Sequence, residues 1–451
     1  MFWKYITMIK DLTAGSPGRA LCSFSLPLLG GVIFQQMYNI ADSLIAGKMI
    51  GEDALSAVGN AYEVTLIYLA FAFGCNIGCS VVVSQLYGAR RLRELKTAVS
   101  TNFLFSGALT VLLMGVGFLL LPRLLPLIRV PERIRLDTML YLNIYTAGLL
   151  FLFFYNISSG IFSALGDSKT PFYFLACSST ANVFLDILFV RLFPELGVGA
   201  VVWATFLCQG VSCVLAVVTV FRKLRTLACA EKPRIFDRKL LKRIVRIALP
   251  STLQQCFVSV GNILIQSIVN GFDGAVIAGY AAAIKVNGFT TTTISTLGTG
   301  VSNFTAQNLG AGKPERVRRG LRSGLALMCG VAAVFSLVYV FLREPLIGLF
   351  MKEEGSDALQ IGCKFLLIVA PFYVLVAIKI CADSVFRGAG AMLLFMITTF
   401  AALFLRVLLA FVFSSFWGSS GIWLAWPVSW TIATALSVVF YFSGIWRRTT
   451  V

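Results

Sequence analysis

The chain has 451 residues, of which 58% are hydrophobic and 13% charged, with a formal charge of +18 and a mean hydropathy of +0.85. A soluble globular chain carries about 25% charged residues, so this composition excludes one and describes a polytopic membrane protein. Eleven cysteines occur without a histidine. All but Cys229 lie in apolar stretches, where they read as small packing residues and not as a zinc site.

The start, MFWKYITMIKDLTAGSPGRALCSF, mixes charge with Gly and Pro and lacks the pattern of a cleavable signal peptide, so it reads as a cytoplasmic tail. Beyond it, apolar stretches predict about twelve spanning helices, over 20–46, 55–86, 98–121, 136–162, 170–192, 198–221, 244–270, 275–306, 320–342, 359–386, 391–414 and 419–445. The expected fold class is an all-α polytopic membrane protein, with a six-helix lobe over 1–221, a cytoplasmic linker over 222–243 and a second six-helix lobe over 244–451. Basic residues cluster in alternate connections: Arg90, Arg91, Arg93 and Lys96, then 222–246, then Lys313, Arg316, Arg318, Arg319 and Arg322. Arg123, Arg129, Arg133 and Arg135 run against that trend. The balance places both termini in the cytoplasm, and the positive charge is then a topology signal that requires no nucleic-acid partner.

The first span, within Leu26 to Gly51, carries Pro27 near its start and one carboxylate, Asp42, deep inside. A proline removes a helix hydrogen bond and offers a bending point. A charged side chain at the centre of a span costs about 2.5 to 3.5 kcal/mol on insertion scales, so Asp42 needs a reason to be there. Two readings are open: a residue near the helix end reached by interfacial water, or a carboxylate facing a cavity where it binds a proton or cation. In the fifth span, Asn182 and Asp186 are four residues apart and share a helix face. At 1.5 Å per residue, Asp42 and Asp186 reach the same outer half of the bilayer and could line one pocket.

An internal repeat crosses the linker. SQLYGARRLRELK at Ser84 matches AQNLGAGKPERVR at Ala306, ALSAVGNA at Ala54 matches AVIAGYAA at Ala275, SALGD at Ser163 matches FRGAG at Phe386, and Leu26 and Pro27 recur at Leu249 and Pro250. Both halves hold an even number of spans, so they share one orientation and should be related by an axis along the membrane normal. The halves differ in charge. Asp42 maps to an apolar stretch near Leu264 and Ile265, and the counterparts of Asn182 and Asp186 near the eleventh span include Arg406. Asn39, Glu63, Lys285 and Arg406 are candidates for a substrate cleft; Glu63 and Lys285 occupy nearly equivalent repeat positions and either pair or face it. Lys379 and Asp383, four apart, are expected to bridge each other.

The Pro27 to Asp42 spacing, the SQLYGA and AQNLGAG repeats, ALGDSKTP at Ala164 and the Asn182 to Asp186 spacing together resemble the multidrug and toxic compound extrusion transporters, over essentially the whole chain. The branch it resembles is that of the DNA-damage-inducible F proteins. The resemblance implies two six-helix lobes in a V shape, and antiport of organic cations or drugs against protons or sodium ions across the cytoplasmic (inner) membrane. It also implies ion coupling at Asp42, Asn182 and Asp186, with Tyr141 and Thr205 as neighbours. Two features depart from the family pattern: QQCFVSVGNILIQ lacks a carboxylate used by another branch, and RGAGAM lacks the usual acidic residue and proline. No cofactor is expected beyond the coupling ion, and no phosphate-binding G-x4-G-K-[ST] sequence argues for ATP hydrolysis or another enzymatic activity. The expected partners are a lipophilic or cationic small molecule and membrane lipid, with the monomer as functional unit. The alternative is a flippase for a lipid-linked oligosaccharide, to which Arg406 and Lys285 would offer cations. A channel would need a charged ring or glycine-rich filter that is not evident.

Overall fold

In a lipid environment a chain must satisfy its backbone polar groups within the segment itself, so long apolar runs become long helices. The structure, a computed structural model, describes the backbone of residues 11–128, 130–229, 231–351 and 356–449, with their side chains except at 39, 40, 42–44, 46, 48, 52, 63, 448 and 449. The first half contains α1 (Pro17–Ile45), continued by a π-helical turn over Ala46–Ile50, then α2 (Glu52–Gly88), α3 (Leu92–Leu127), α4 (Glu132–Ala147), α5 (Leu149–Ala164), α6 (Lys169–Leu192) and α7 (Val198–Thr226). The second contains α8 (Arg238–Val269), α9 (Gly274–Gly310), α10 (Pro314–Phe341), the short α11 (Arg343–Gly348), α12 (Asp357–Val369), α13 (Tyr373–Ala389), α14 (Met392–Trp417) and α15 (Ser419–Ser443). No strand occurs among the described residues.

Ten helical stretches are long and apolar enough to cross a membrane, and α4 with α5 makes an eleventh if that pair, bent by 51°, is one span. Each of the twelve expected spans falls on a helix. The twelfth, α9, is long enough at 37 residues but carries Lys285, Asn287 and a run of threonines over 290–293, which keep it below the same apolarity. The bend between α4 and α5 sits at Gly148, where a Cβ would come within 3.1 Å of the Phe206 ring and 3.3 Å of the Tyr145 carbonyl. The tenth expected span is likewise divided: α12 and α13 are joined by a 3-10 turn over Ala370–Phe372 that contains Pro371, a residue with no N–H to continue the ladder.

The repeat holds at the level of single hydrogen bonds. After α2, the Ala89 and Arg91 N–H groups donate to the Gln85 and Leu86 carbonyls at 2.9 and 3.0 Å; after α9, those of Ala311 and Lys313 donate to Gln307 and Asn308 at 3.0 and 2.8 Å. Arg90, with φ at 59°, adopts the left-handed turn that Gly312 supplies in the second half. The helix ends after α5 and α13 correct the sequence pairing by one residue. Gly166 and Gly390 are the left-handed residues there, and Asp167 N–H bonds Phe162 as Ala391 N–H bonds Phe386. Asp167 therefore corresponds to Ala391. The same shift places Asn182 opposite Arg406 and Asp186 opposite Ala410.

Two compact units make up the chain: unit 1 holds Leu26–Thr252, and unit 2 holds Leu12–Ser25 with the chain from Leu253 onward. The division passes through α1 and α8. It thus differs from lobes drawn around the linker, because the start of α8 packs with unit 1 and the start of α1 with unit 2. Missing side chains explain the first attachment: a Cβ on Gly74 or Gly78 of α2 would lie 2.8 Å from the Ala248 or Ile244 carbonyl of α8. Hydrogen bonds support both. In unit 1, Arg234 and Asp237 N–H groups donate to Thr97 and Thr101 hydroxyls at 3.1 and 3.0 Å. In unit 2, Leu12 N–H donates to Gln307 Oε1 at 3.1 Å and Asn308 Nδ2 to the Leu12 carbonyl at 3.2 Å. Pro27 and Pro250 stand just beside the two crossing points, yet α1 and α8 run through them as continuous helices.

Candidate functional site

Of the candidate coupling residues, Asp42 falls on α1, Tyr141 on α4, Asn182 and Asp186 on α6, and Thr205 on α7. Asp186 is fully buried and Asn182, one turn earlier on the same face of α6, is 2% exposed. Asn182 Nδ2 donates to Thr205 Oγ1 of α7 across 3.4 Å, a long bond from a buried amide to a half-buried hydroxyl. One turn beyond Asp186, Val190 packs with Ile45 of α1 and with Ala200 and Val201 of α7. The side chains of Asp42, Asn39 and Glu63 lie outside the described residues. Backbone register still places position 42 three residues before Ile45, as Asp186 stands four before Val190. Positions 42 and 186 thus precede members of one apolar cluster by similar steps along their helices. Tyr141 belongs to a column of rings in which Tyr141 and Tyr145 stack at 6.3 Å and Tyr145 and Tyr68 at 6.5 Å.

Two buried ion pairs account for most of the other charge inside the helices. Lys379 Nζ donates to Asp383 Oδ2 at 2.5 Å, while Asp383 Oδ1 accepts from Thr398 of α14 at 3.0 Å and Ser437 of α15 at 2.9 Å, as the four-residue spacing predicts. The second pair was not legible, because its members are 56 residues apart. Asp167 accepts from the Lys169 and Thr170 N–H groups at the start of α6 and from Lys223 at the end of α7, with both charged side chains under 5% exposed. The acidic residue of the ALGDSKTP stretch is thus a helix cap locked by an ion pair. With both pairs set aside, the buried Asp, Glu, Lys and Arg side chains among the described residues are Asp186 in unit 1 and Arg406 in unit 2.

Arg406 lies near the middle of α14 and is 8% exposed. Its Nη2 donates to Asn262 Oδ1 of α8 at 2.8 Å, and its guanidinium stacks 4.3 Å over the Trp426 ring of α15. Lys285, in contrast, is exposed, with its ammonium 5.4 Å from the Phe350 ring. No ion pair joins Arg406 or Lys285 to a described carboxylate. Among the described residues outside the two ion pairs, the buried charged side chains are thus a carboxylate in unit 1, Asp186, and a guanidinium in unit 2, Arg406.

Comparison with known proteins matches this architecture. The MatE family model matches residues 27–188 and again 250–412, each match opening on one of the two repeat prolines. The probable multidrug resistance protein YpnP of Bacillus subtilis is 28% identical over 97% of this chain and 97% of its own. An FAD transporter of Shewanella oneidensis is 24% identical over 74% of this chain and 75% of its own. Among solved structures, a MOP superfamily transporter of Pyrococcus furiosus, described as having a binding pocket of reverse polarity, superimposes with a TM-score of 0.88 at 20% identity over 96% of this chain and 97% of that one. The all-helical fold, the doubled family match and the full-length relatives together establish that the chain belongs to the MatE family of multidrug and toxic compound extrusion transporters.

Proposed function

We propose that this chain is a secondary antiporter that exports organic cations across the cytoplasmic membrane in exchange for protons or sodium ions, with coupling at Asp42 and Asp186 assisted by Asn182, Thr205 and Tyr141. The observation that carries the reading is the fully buried carboxylate Asp186, one turn from an amide that reaches the Thr205 hydroxyl. Carboxylate, amide and hydroxyl oxygens suit a proton or a hard cation. Two carboxylates in one apolar site are not both tolerated as bare charges, so a proton, a sodium ion or a cationic substrate would occupy the site in turn. If substrate and coupling ion exclude one another there, release of one outward is linked to entry of the other. The missing carboxylate of α8 favours the branch resembling the DNA-damage-inducible F proteins.

Lobes 1–221 and 244–451 are proposed to alternate in access, with both termini and the 222–243 linker in the cytoplasm and Pro27 as a point where α1 bends. The clustering of basic residues in the α2–α3, α7–α8 and α9–α10 connections supports that orientation. The FAD transporter among the relatives adds an aromatic anion to the compounds worth testing.

The direct test of the coupling role is Asp42→Asn in cells challenged with ethidium. Dye efflux should fall at least about tenfold, within the usual range of coupling free energies, with membrane protein levels unchanged by immunoblot. Wild-type efflux by this variant would remove Asp42 from the mechanism.

A further inference from the structure

We propose that unit 2 contains a subsite for an oxyanion, a phosphate or carboxylate carried by an amphipathic molecule, built on Arg406 and the aromatic cluster around it. The proposal deepens the export reading by naming a substrate chemistry, and rests on that reading only for how the ligand arrives. A guanidinium offers five N–H donors. Arg406 spends one on Asn262, and its Nε is buried with no acceptor. The indole N–H groups of Trp423 and Trp426 are buried without acceptors as well.

These three donors belong to one cluster. Trp426 lies under the guanidinium, Phe365 joins Trp426 to Trp423 with centroids 5.7 and 5.3 Å away, and Tyr280 stacks on Trp423 at 5.1 Å. A site built for a cation would show carboxylates, carbonyls or aromatic faces left open. Here the orphaned groups are donors only, the charge is positive, and the aromatic face already holds Arg406. Both buried aspartate–lysine pairs show what this fold does with a charge that needs only structural compensation: it supplies an opposite side chain and hydroxyls. Arg406 has no such partner among the described residues. Asn262, which accepts from its Nη2, is exposed on α8, so the polar group beside the guanidinium can be reached from that face of α8. In the repeat, Arg406 takes the place of Asn182, so the position that assists a carboxylate in unit 1 presents a cation in unit 2.

The test uses the full chain in phosphatidylcholine nanodiscs, with tryptophan fluorescence titrated by flavin mononucleotide and by riboflavin. The two probes share a chromophore and differ by a phosphate, so optical artefacts cancel. Binding of the phosphorylated probe should be about tenfold tighter or more, the effect of one or two charge-assisted hydrogen bonds. Arg406→Gln should remove the preference, while Arg406→Lys, which keeps a charge, should retain part of it. Adding phosphatidylglycerol to the bilayer separates sources: competition with the flavin assigns the site to a lipid phosphate, and no competition to a soluble anion, both within the proposal. Equal binding of the two flavins by the wild type, or an undiminished preference in Arg406→Gln, overturns it. Ethidium efflux by the wild type tests the export reading separately, so failure of either leaves the other measurable.

Discussion

Efflux driven by an ion gradient falls at least about tenfold in Asp186→Asn, and Asp42→Asn combined with Asp186→Asn is hardly worse than either single change. Asp186 is fully buried on α6, and Val190, one turn on, belongs to the same apolar cluster as Ile45, three residues after position 42. If the two carboxylates hold one coupling ion, removing either disables the unit and the losses do not multiply. Asparagine preserves shape and hydrogen-bonding capacity, so the loss reports charge and proton exchange more than packing. Transport rates and ion dependence in reconstituted vesicles for both singles and the double decide the matter. Substantial coupled transport in each single, with losses that multiply in the double, would mean two independent sites.

Lys379→Met and Asp383→Leu, taken singly, each lower the stability of the protein by about 3 kcal/mol, whereas the double variant stays close to wild type. The pair is buried between α13, α14 and α15, and removal of one member strands the other charge among Thr398, Ser437 and apolar side chains. Removing both takes away the attraction and the desolvation cost together. Thermal unfolding in detergent reads the effect, with singles well below wild type and the double near it. Singles that unfold with wild type would show that water reaches the pair. The double variant should also export ethidium, because the buried carboxylate Asp383 is paired with Lys379 in unit 2 while the proposed coupling residues belong to unit 1; a silent double at wild-type stability would put Asp383 into the mechanism.

Apolar runs made the helices legible, and the i to i+4 spacing of Lys379 and Asp383 made their bridge legible, because both are local consequences of helix geometry. The α9 span was legible as the apolar stretch over 275–306, although its threonines weaken the hydropathy signal. What the sequence could not show came from tertiary proximity. The Asp167 and Lys223 pair closes across two helices, the bend at Gly148 depends on where Phe206 packs, and the attachment of the starts of α1 and α8 depends on glycines in helices far away in sequence. The repeat correction by one residue has the same origin. Only the left-handed turns at Gly166 and Gly390 fix which positions correspond, and with them the pairing of Asn182 with Arg406.

The proposed antiport is coupled through a carboxylate site in the first half of the chain. Its most direct measurement is uptake of ethidium into inverted membrane vesicles under a proton gradient alone and a sodium gradient alone, in wild type and in Asp186→Asn. Uptake by the wild type under at least one gradient, collapsed by the matching ionophore and lost in the variant, is the expected result. Uptake that ignores both gradients, or that persists undiminished without Asp186, would mean that transport is not coupled through Asp186.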